Sequence, residues 1–293
     1  MTKNSDRCGC LQIRLAIPQL SMLPILSWPE SHFMSESTDL SHTQIDDHWE
    51  IYLTYVDEKP AVIMSDIGIA KAAPVAELPN LVWLWVHVIE PDEDGFPSED
   101  EDFKLNEVED GVTDSLADAA TRYVGRITSD GRREFYFYSS DPQRFLQAVT
   151  AVMQSYPEYR CEVDTADDPE WRHYLDVLYP GPEDFMQIQS QHLITQLQQA
   201  GDVLTQPRPV DHYINFKSEA DRDAFVAAAT ELGYENVSRP NRSEEAGLPF
   251  SVGLLRTDAI DPETVDNFTF ELFDLARQHG GEYEGWSSNI VKA

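Results

Sequence analysis

The stretch that decides the fold runs from Tyr123 to Tyr138 and reads YVGRITSDGRREFYFY. Two runs rich in β-branched and aromatic residues, Tyr123–Thr128 and Arg133–Tyr138, flank the short segment Ser129-Asp130-Gly131. Asp-Gly favours the tight turns that join antiparallel strands, because both residues tolerate positive φ. This stretch therefore predicts a β-hairpin.

The segments on either side of the hairpin extend the pattern. Upstream, Leu81–Ile89 reads LVWLWVHVI, a nearly all-apolar run of strand length. Between that run and the hairpin, apolar residues recur at helical steps of three and four: Leu105, Val108, Val112, Leu116 and Ala119. Downstream, Asp141-Pro142 is predicted to begin a second helix, and Tyr159–Val163 is predicted to form the last strand. The order from Leu81 is strand, helix, strand, strand, helix, strand, which is the ferredoxin-like arrangement.

The same order returns in the C-terminal half. A long helix from Glu183 to Ala200 comes first, and two further helices begin at Ser218 and at Asp261-Pro262. The predicted strands are His212–Phe216, Tyr234–Ser238, Phe250–Leu255 and Tyr283–Ile290. We therefore predict the α+β class, with two tandem ferredoxin-like (βαββαβ) domains whose antiparallel sheets are backed by helices. The first domain carries an extra N-terminal hairpin, Trp49–Val56 with Ala61–Ile69.

This pattern divides the chain into four segments. Residues 1–45 are predicted to be a disordered or untranslated leader, 46–165 an N-terminal α+β domain, 166–182 a helical connector and 183–293 a second α+β domain. In the leader, Cys8 and Cys10 lack the second ligand pair of a zinc site. Met34 opens a polar segment and is an alternative start to Met1.

The acidity of the chain is its compositional outlier. The 293 residues carry 21 Lys+Arg and 53 Asp+Glu, for a formal charge of −32. Residues 1–33 hold three basic and two acidic side chains, so the remaining 260 residues carry −33. A surface this negative repels phosphate backbones and anionic lipid, which argues against nucleic acid and membrane as partners. Only Cys161 lies beyond the leader, and no apolar run reaches transmembrane length, so we expect a soluble cytoplasmic protein.

Several pieces of the C-terminal half, in this order, resemble the regulator of ribonuclease E activity B family, small acidic bacterial proteins. They are Asp211–Phe216 (DHYINF), Ala224-Phe225, Leu232-Gly233-Tyr234 and Glu282-Tyr283-Glu284-Gly285-Trp286. The resemblance covers about residues 183–293, and Ser287 departs from it where a glycine is expected after the tryptophan. The N-terminal half is similar to a bacterial domain of unknown function found fused to this one.

The resemblance implies a non-catalytic regulator that binds an endoribonuclease through a basic segment and inhibits RNA turnover by protein contact. From the charge and the absence of site motifs, we also expect no cofactor, no metal, no small-molecule substrate and no direct binding of nucleic acid. The acidity agrees with this, because ribonuclease segments that bind RNA are basic and attract an acidic protein.

The candidate partner-binding residues are Glu282, Tyr283, Glu284, Gly285 and Trp286. In an unbroken strand, Tyr283 and Gly285 face one way, and Glu282, Glu284 and Trp286 face the other. Trp286 is then either an interface anchor ringed by carboxylates or a packing residue between sheet and helix.

An acidic stretch from Glu90 to Asp110 offers a second candidate site. Its spacing matches the ligand positions of a calcium-binding EF-hand loop, with Glu90, Asp92, Asp94, Gly95 and Glu101 at positions 1, 3, 5, 6 and 12. Pro97 occupies the normally hydrophobic position 8, and the stretch follows a strand rather than a helix. The alternative is a solvated acidic loop whose later acids suit a helix N-terminus.

Other motifs favour packing over chemistry. The aromatic residues of Arg132–Tyr138 suggest an RNA-stacking sheet, but alternation places Phe135 and Phe137 on one face, in the core, and Tyr136 and Tyr138 on the other, against a second domain. His87 is interpreted as a hydrogen-bonded packing residue. Nucleophile, phosphate-loop and zinc-protease motifs are absent from the sequence, so we expect no enzyme. The alternatives are a general protein-binding adaptor unrelated to RNA turnover, and a calcium-binding or uncharacterised enzymatic module.

Overall fold

The hairpin predicted between Tyr123 and Tyr138 lies at the centre of a six-stranded sheet in the computed structural model, which describes residues 47–117, 120–241 and 247–292. Asp130 and Gly131 form its turn with φ of +46° and +76°, the positive values that an Asp-Gly turn permits. The predicted leader, with Cys8, Cys10 and Met34, lies outside the described residues, as does Ala119.

The first sheet has the strand order β1-β2-β4-β5-β3-β6, with every pair antiparallel. Its elements are β1 (Trp49–Val56), β2 (Lys59–Asp66), β3 (Asn80–His87), α1 (Glu99–Ser115), β4 (Thr121–Ser129), β5 (Arg132–Ser139), α2 (Pro142–Met153) and β6 (Cys161–Asp167). Strands β4, β5, β3 and β6 form the ferredoxin-like sheet, and the hairpin β1–β2 extends it beyond β4. The predicted fold of this half, including the extra hairpin, is confirmed.

Strand β5 is buried on both faces. Phe135 and Phe137 pack beneath α1 and α2, whereas Tyr136 and Tyr138 point into a second apolar layer. The segment predicted as a connector contributes Trp171, Tyr174 and Leu178 to that layer. Trp171 stacks on Tyr138 at 4.0 Å, and the Trp171 indole donates to the carbonyl of Leu78. The alternation was predicted correctly, but the aromatic rings that stack on the second face come from residues 171–174 of the predicted connector rather than from a separate domain.

The second sheet has the order β10-β7-β9-β8, again the ferredoxin-like arrangement. Its elements are α3 (Pro182–Gln199), β7 (Arg208–Phe216), α4 (Glu219–Glu231), β8 (Glu235–Val237), β9 (Phe250–Asp258), α5 (Pro262–Gln278) and β10 (Gly281–Ser288). Helix α5 packs against β10 and beside α3. Asp261 caps α5 by accepting from the Thr264 N–H, with Pro262 at the first helical position, as predicted.

Helix α3 is shared by two apolar cores. Near its start, Ile188 is buried with the first core; further along, Ile194 and Leu197 are buried with the second. Next to Ile188, Gln187 Oε1 accepts a hydrogen bond from the backbone N–H of Leu53 at 3.0 Å. Because β1 is the edge of its sheet, this bond satisfies an outward backbone donor that would otherwise invite another strand.

Helix α1 begins six residues earlier than the first apolar position of its predicted face. Ser98 caps it by accepting from the Glu101 N–H, and its first turn carries Glu99, Asp100, Glu101 and Asp102. Carboxylates are stabilised near the positive end of the helix dipole. The later part of the predicted acidic loop is therefore helical.

Candidate functional site

The candidate motif Glu282–Trp286 lies in β10, which pairs with β7 at one edge of the second sheet. The register shifts between Tyr283, opposite Ile214, and Gly285, opposite Tyr213. Gly285 has a φ of +124°, a conformation that favours glycine, and a β-bulge is where such a residue is needed.

The bulge changes which residues share a face. Tyr283 lies opposite Ile214 and Trp286 lies opposite His212, and both of those β7 side chains are buried beneath the helices. Tyr283 and Trp286 therefore point to the same side of the sheet. The prediction that they face opposite ways was wrong, because strict alternation fails where one strand carries an extra residue.

Trp286 fills the space between the sheet and its helices. It is 7% exposed, and its ring meets Phe268 of α5 edge-on at 5.6 Å. Its indole Nε1 donates a hydrogen bond to Ser190 Oγ of α3 at 3.1 Å. Of the two interpretations of Trp286, the structure favours the packing residue.

Tyr283 takes part in a second buried contact. Its hydroxyl lies 2.9 Å from Nδ1 of His212, a fully buried histidine. Burial, with a further effect from the charge of Arg256, lowers the pKa of His212 to about 3. The imidazole is therefore neutral near pH 7 and acts as a hydrogen-bonded core group.

The two glutamates of the motif are its exposed members. Glu284 forms an ion pair with Arg239 at 3.3 Å, and the Arg239 guanidinium lies 4.4 Å from the ring centre of Tyr213. The Tyr213 hydroxyl in turn lies 2.8 Å from Oγ of Ser287, the residue that departs from the family pattern. These four side chains, Glu284, Arg239, Tyr213 and Ser287, thus form a polar, partly exposed cluster around the bulge, on the side opposite Trp286.

A cleft of about 160 Å³ lies between α3 and the bulge. It is lined by Met186, Gln189, Ser190, Leu193, Tyr213, Glu284, Gly285 and Trp286. Apolar and aromatic groups with one carboxylate suit a single apolar or cationic side chain of a partner. In the sequence, Met186 and Leu193 fall within the long helix predicted from Glu183 to Ala200, and neither was assigned to a site. The available signal was their shared face with Gln189 and Ser190 at three- and four-residue steps.

The acidic stretch does not group its side chains as the candidate calcium loop requires. Asp92 Oδ1 accepts from the backbone N–H groups of Asp94 and Phe96, which closes a local turn. Glu101, in the first turn of α1, accepts a hydrogen bond through its Oε1 from the backbone N–H of Ile89 at 2.7 Å. Among the residues described, no three His, Cys, Asp or Glu side chains are grouped so that they could hold a metal ion.

The remaining candidates are structural in their contacts. His87 Nε2 lies 2.8 Å from Glu162 Oε1, so His87 is hydrogen-bonded, as expected, and this bond lowers the pKa of Glu162. The aromatic residues of β5 are all buried, so they present no stacking platform for bases. In the part of the chain that the structure describes, no helix is long and apolar enough to span a membrane.

Comparison with known proteins gives two family matches. Residues 47–179 match a family of unknown function, DUF695, and residues 187–288 match the family Regulator of ribonuclease activity B. A search of curated proteins finds no match. One solved structure, "Crystal structure of putative glycine cleavage system transcriptional repressor", is 12% identical, covering 73% of this chain and 98% of its own. Its TM-score of 0.17 is too low to indicate a shared fold.

The boundaries of the two matches agree with the two ferredoxin-like halves. The first ends at residue 179, after the segment that stacks on β5, and the second spans most of α3 and all of β7 to β10. The chain thus joins a region that matches the family of unknown function DUF695 to a region that matches the family Regulator of ribonuclease activity B.

Proposed function

We propose that this protein is a non-catalytic cytoplasmic regulator that binds a ribonuclease E-like endoribonuclease and inhibits it, which slows RNA turnover. The observation that carries the proposal is the match of residues 187–288 to Regulator of ribonuclease activity B. That match covers a complete ferredoxin-like sheet with its helices, so the whole domain is available to act as such a regulator.

The charge of the chain supports inhibition by protein contact. At −32, the protein is attracted to basic surfaces and repelled by RNA. A basic segment of the enzyme that normally holds RNA is therefore the expected binding site, and occupying it removes a substrate contact. No step in this mechanism requires a catalytic group, a metal or direct contact between the regulator and RNA.

We propose the cleft beside the bulge as the contact surface on the regulator. Glu282 and Glu284 supply exposed carboxylates, and the cleft next to Glu284 accepts one side chain of the enzyme. Tyr283, Gly285 and Trp286 act indirectly: their buried contacts and the bulge hold the strand in the form that presents those carboxylates.

The test is direct binding between the purified full chain and the purified endoribonuclease of the same organism, with cleavage of a defined RNA as second readout. We expect binding that weakens as salt rises, and slower cleavage. The pair Glu282→Gln and Glu284→Gln is expected to weaken binding about tenfold. Glu231→Gln with Glu235→Gln is the matched control, since both are exposed carboxylates of the same domain.

The outcomes separate the function from the site. Failure of the wild-type chain to bind the enzyme or slow its cleavage refutes the proposed function. Equal weakening by the test pair and the control pair refutes only the site, because binding then depends on total charge. Full-strength binding by both variants would likewise refute the site, because the contact would then lie elsewhere on the protein.

A further inference from the structure

The hairpin β1–β2 carries an exposed apolar stripe. Ile51, Leu53 and Tyr55 are 59%, 59% and 74% exposed, whereas the alternate residues Glu50 and Tyr52 are buried. These three are among only nine large apolar side chains that are exposed in the described residues. Their cross-strand partners on β2 are Met64, Val62 and Pro60, so the stripe is two strands wide.

The strand register places this stripe on the helix-covered side of the sheet. Met64 lies opposite Arg126 on β4, and Arg126 lies opposite Phe135 on β5. Phe135 packs beneath α1 and α2, so all of these side chains point the same way. The two helices cover the middle of the sheet and stop short of β1. Two strands are about 10 Å across, close to the diameter of one helix.

The nearest helix to this open position, α1, is strongly acidic. Helix α1 contacts β4, the strand next to β2, through the hydrogen bond from Arg126 Nη1 to Asn106 Oδ1 at 3.0 Å. Its sequence carries eight carboxylates and one lysine. Five of these carboxylates are exposed: Glu99, Asp100, Glu107, Asp110 and Asp114. At the tip of the hairpin, Asp57 and Glu58 are exposed as well.

We propose that the stripe of Ile51, Leu53 and Tyr55 docks a basic amphipathic helix of a partner protein. The apolar face of that helix covers the stripe, and its Lys and Arg side chains meet the carboxylates of α1. The inference concerns residues 47–179 and holds whether or not the partner is a ribonuclease.

The charge of the chain and the geometry of the β1 edge argue against two other partners for the stripe, a second copy of the chain and an added strand. A second copy carries the same net charge of −32, so overall repulsion opposes self-association. A partner strand added to the edge of β1 meets α3, where Gln187 already occupies the outward N–H of Leu53. A helix lying on the face of the hairpin avoids both obstacles.

The probe is a fluorescent 18-residue peptide of leucine and lysine arranged as an amphipathic helix, titrated with the full chain at physiological salt. We expect binding of this peptide. A scrambled peptide of the same composition is expected to bind about tenfold more weakly, and a leucine–glutamate version still more weakly. Failure of the amphipathic peptide to bind, or equal binding of the scrambled one, overturns the proposal.

Variants locate the binding on the hairpin. The triple change Ile51→Thr, Leu53→Thr and Tyr55→Thr keeps strand propensity and removes the apolar surface, so we expect about tenfold weaker binding. The control is Ile89→Thr with Ile290→Thr, two residues that are 55% and 50% exposed elsewhere. Unchanged affinity in the triple variant overturns the proposal.

Two further measurements keep the result interpretable. If the triple variant does not fold, Tyr55→Thr alone, at the most exposed position, is expected to weaken binding about threefold, and no change there counts against the stripe. Sedimentation of the wild-type chain tests the second copy. Self-association that the triple variant abolishes identifies that copy as the occupant and overturns the assignment to a basic partner.

Discussion

The indole of Trp286 donates a hydrogen bond to Ser190 Oγ at 3.1 Å, which ties the closing strand of the second sheet to helix α3. The most recognisable residue of the motif thus positions a helix that also contacts the first sheet. The role of Trp286 in partner binding is expected to be indirect, because Trp286 helps to set the geometry of the cleft.

Removing this contact is expected to lower stability. Trp286→Ala removes a buried indole and should reduce the free energy of unfolding by about 3–5 kcal/mol. Ser190→Ala leaves the indole N–H unpaired and should cost about 1 kcal/mol. A double-mutant cycle with Trp286→Phe measures the coupling in urea unfolding. Loss of partner binding by Trp286→Ala at an unchanged melting temperature would contradict this and make Trp286 an anchor.

Gly285 is expected to be sensitive for conformational reasons alone. No atom lies within 4 Å of the position that a Cβ would take, but its φ is +124°. Gly285→Ala should therefore destabilise the protein by about 1–3 kcal/mol through backbone strain. Glu282→Ala, at an exposed position of the same strand, is the control and should change stability by less than about 0.5 kcal/mol. Equal effects would mean that the bulge imposes no strain.

Acidification is expected to destabilise the fold through His212. Its pKa is about 3 in the folded protein, mainly because of burial, and near 6.5 when unfolded. As the pH falls below 6.5, His212 in the unfolded chain therefore binds a proton, whereas His212 in the folded chain does not. The free energy of unfolding therefore decreases as the pH falls from about 6.5 to about 3. This group alone should cost about 1.4 kcal/mol between pH 7.5 and 5.5.

Urea unfolding of wild type and His212→Gln at both pH values checks this. The variant is expected to be less stable at pH 7.5, since the bond to Tyr283 is altered, but to lose less stability on acidification. His173, whose pKa is lowered to about 4 chiefly by burial, adds a loss of the same sign in both proteins. An unchanged pH dependence in the variant would show that His212 is accessible to protons in the folded state.

Gln187 and Gln189 form a matched pair on α3. Gln187 is buried and accepts from the Leu53 N–H, whereas Gln189 is exposed. Gln187→Ala leaves that edge N–H without its partner and should cost about 1–3 kcal/mol, with faster amide exchange at Leu53. Gln189→Ala should be close to neutral. Slow exchange at Leu53 in both variants would show that the edge is protected by something other than Gln187.

Local signals predicted the elements of both halves. Asp130-Gly131 specifies its turn, and Asp261-Pro262 specifies the start of α5, because the relevant interactions lie within a few residues of the chain. The order of the elements then led to the ferredoxin-like topology, and residues 282–286 led to the family. The same local rules explain the early start of α1, since Ser98 and the acids after it suit a helix N-terminus.

Other features depend on atoms that are distant in the sequence. Whether Trp286 faces the helices follows from one extra residue at the bulge, which is visible only once β10 is paired with β7. That α3 belongs to two cores depends on how β1 meets Gln187, 134 positions apart.

The sequence by itself therefore determined the strands, helices, caps, topology and net charge, because these depend on short-range propensity and on composition. Only the tertiary structure decided which side chains are reachable. It buried Trp286 and His212, and it left Ile51, Leu53 and Tyr55 exposed because no described helix extends over the first hairpin. Exposure is a property of what packs against a residue, and that is set by long-range contacts.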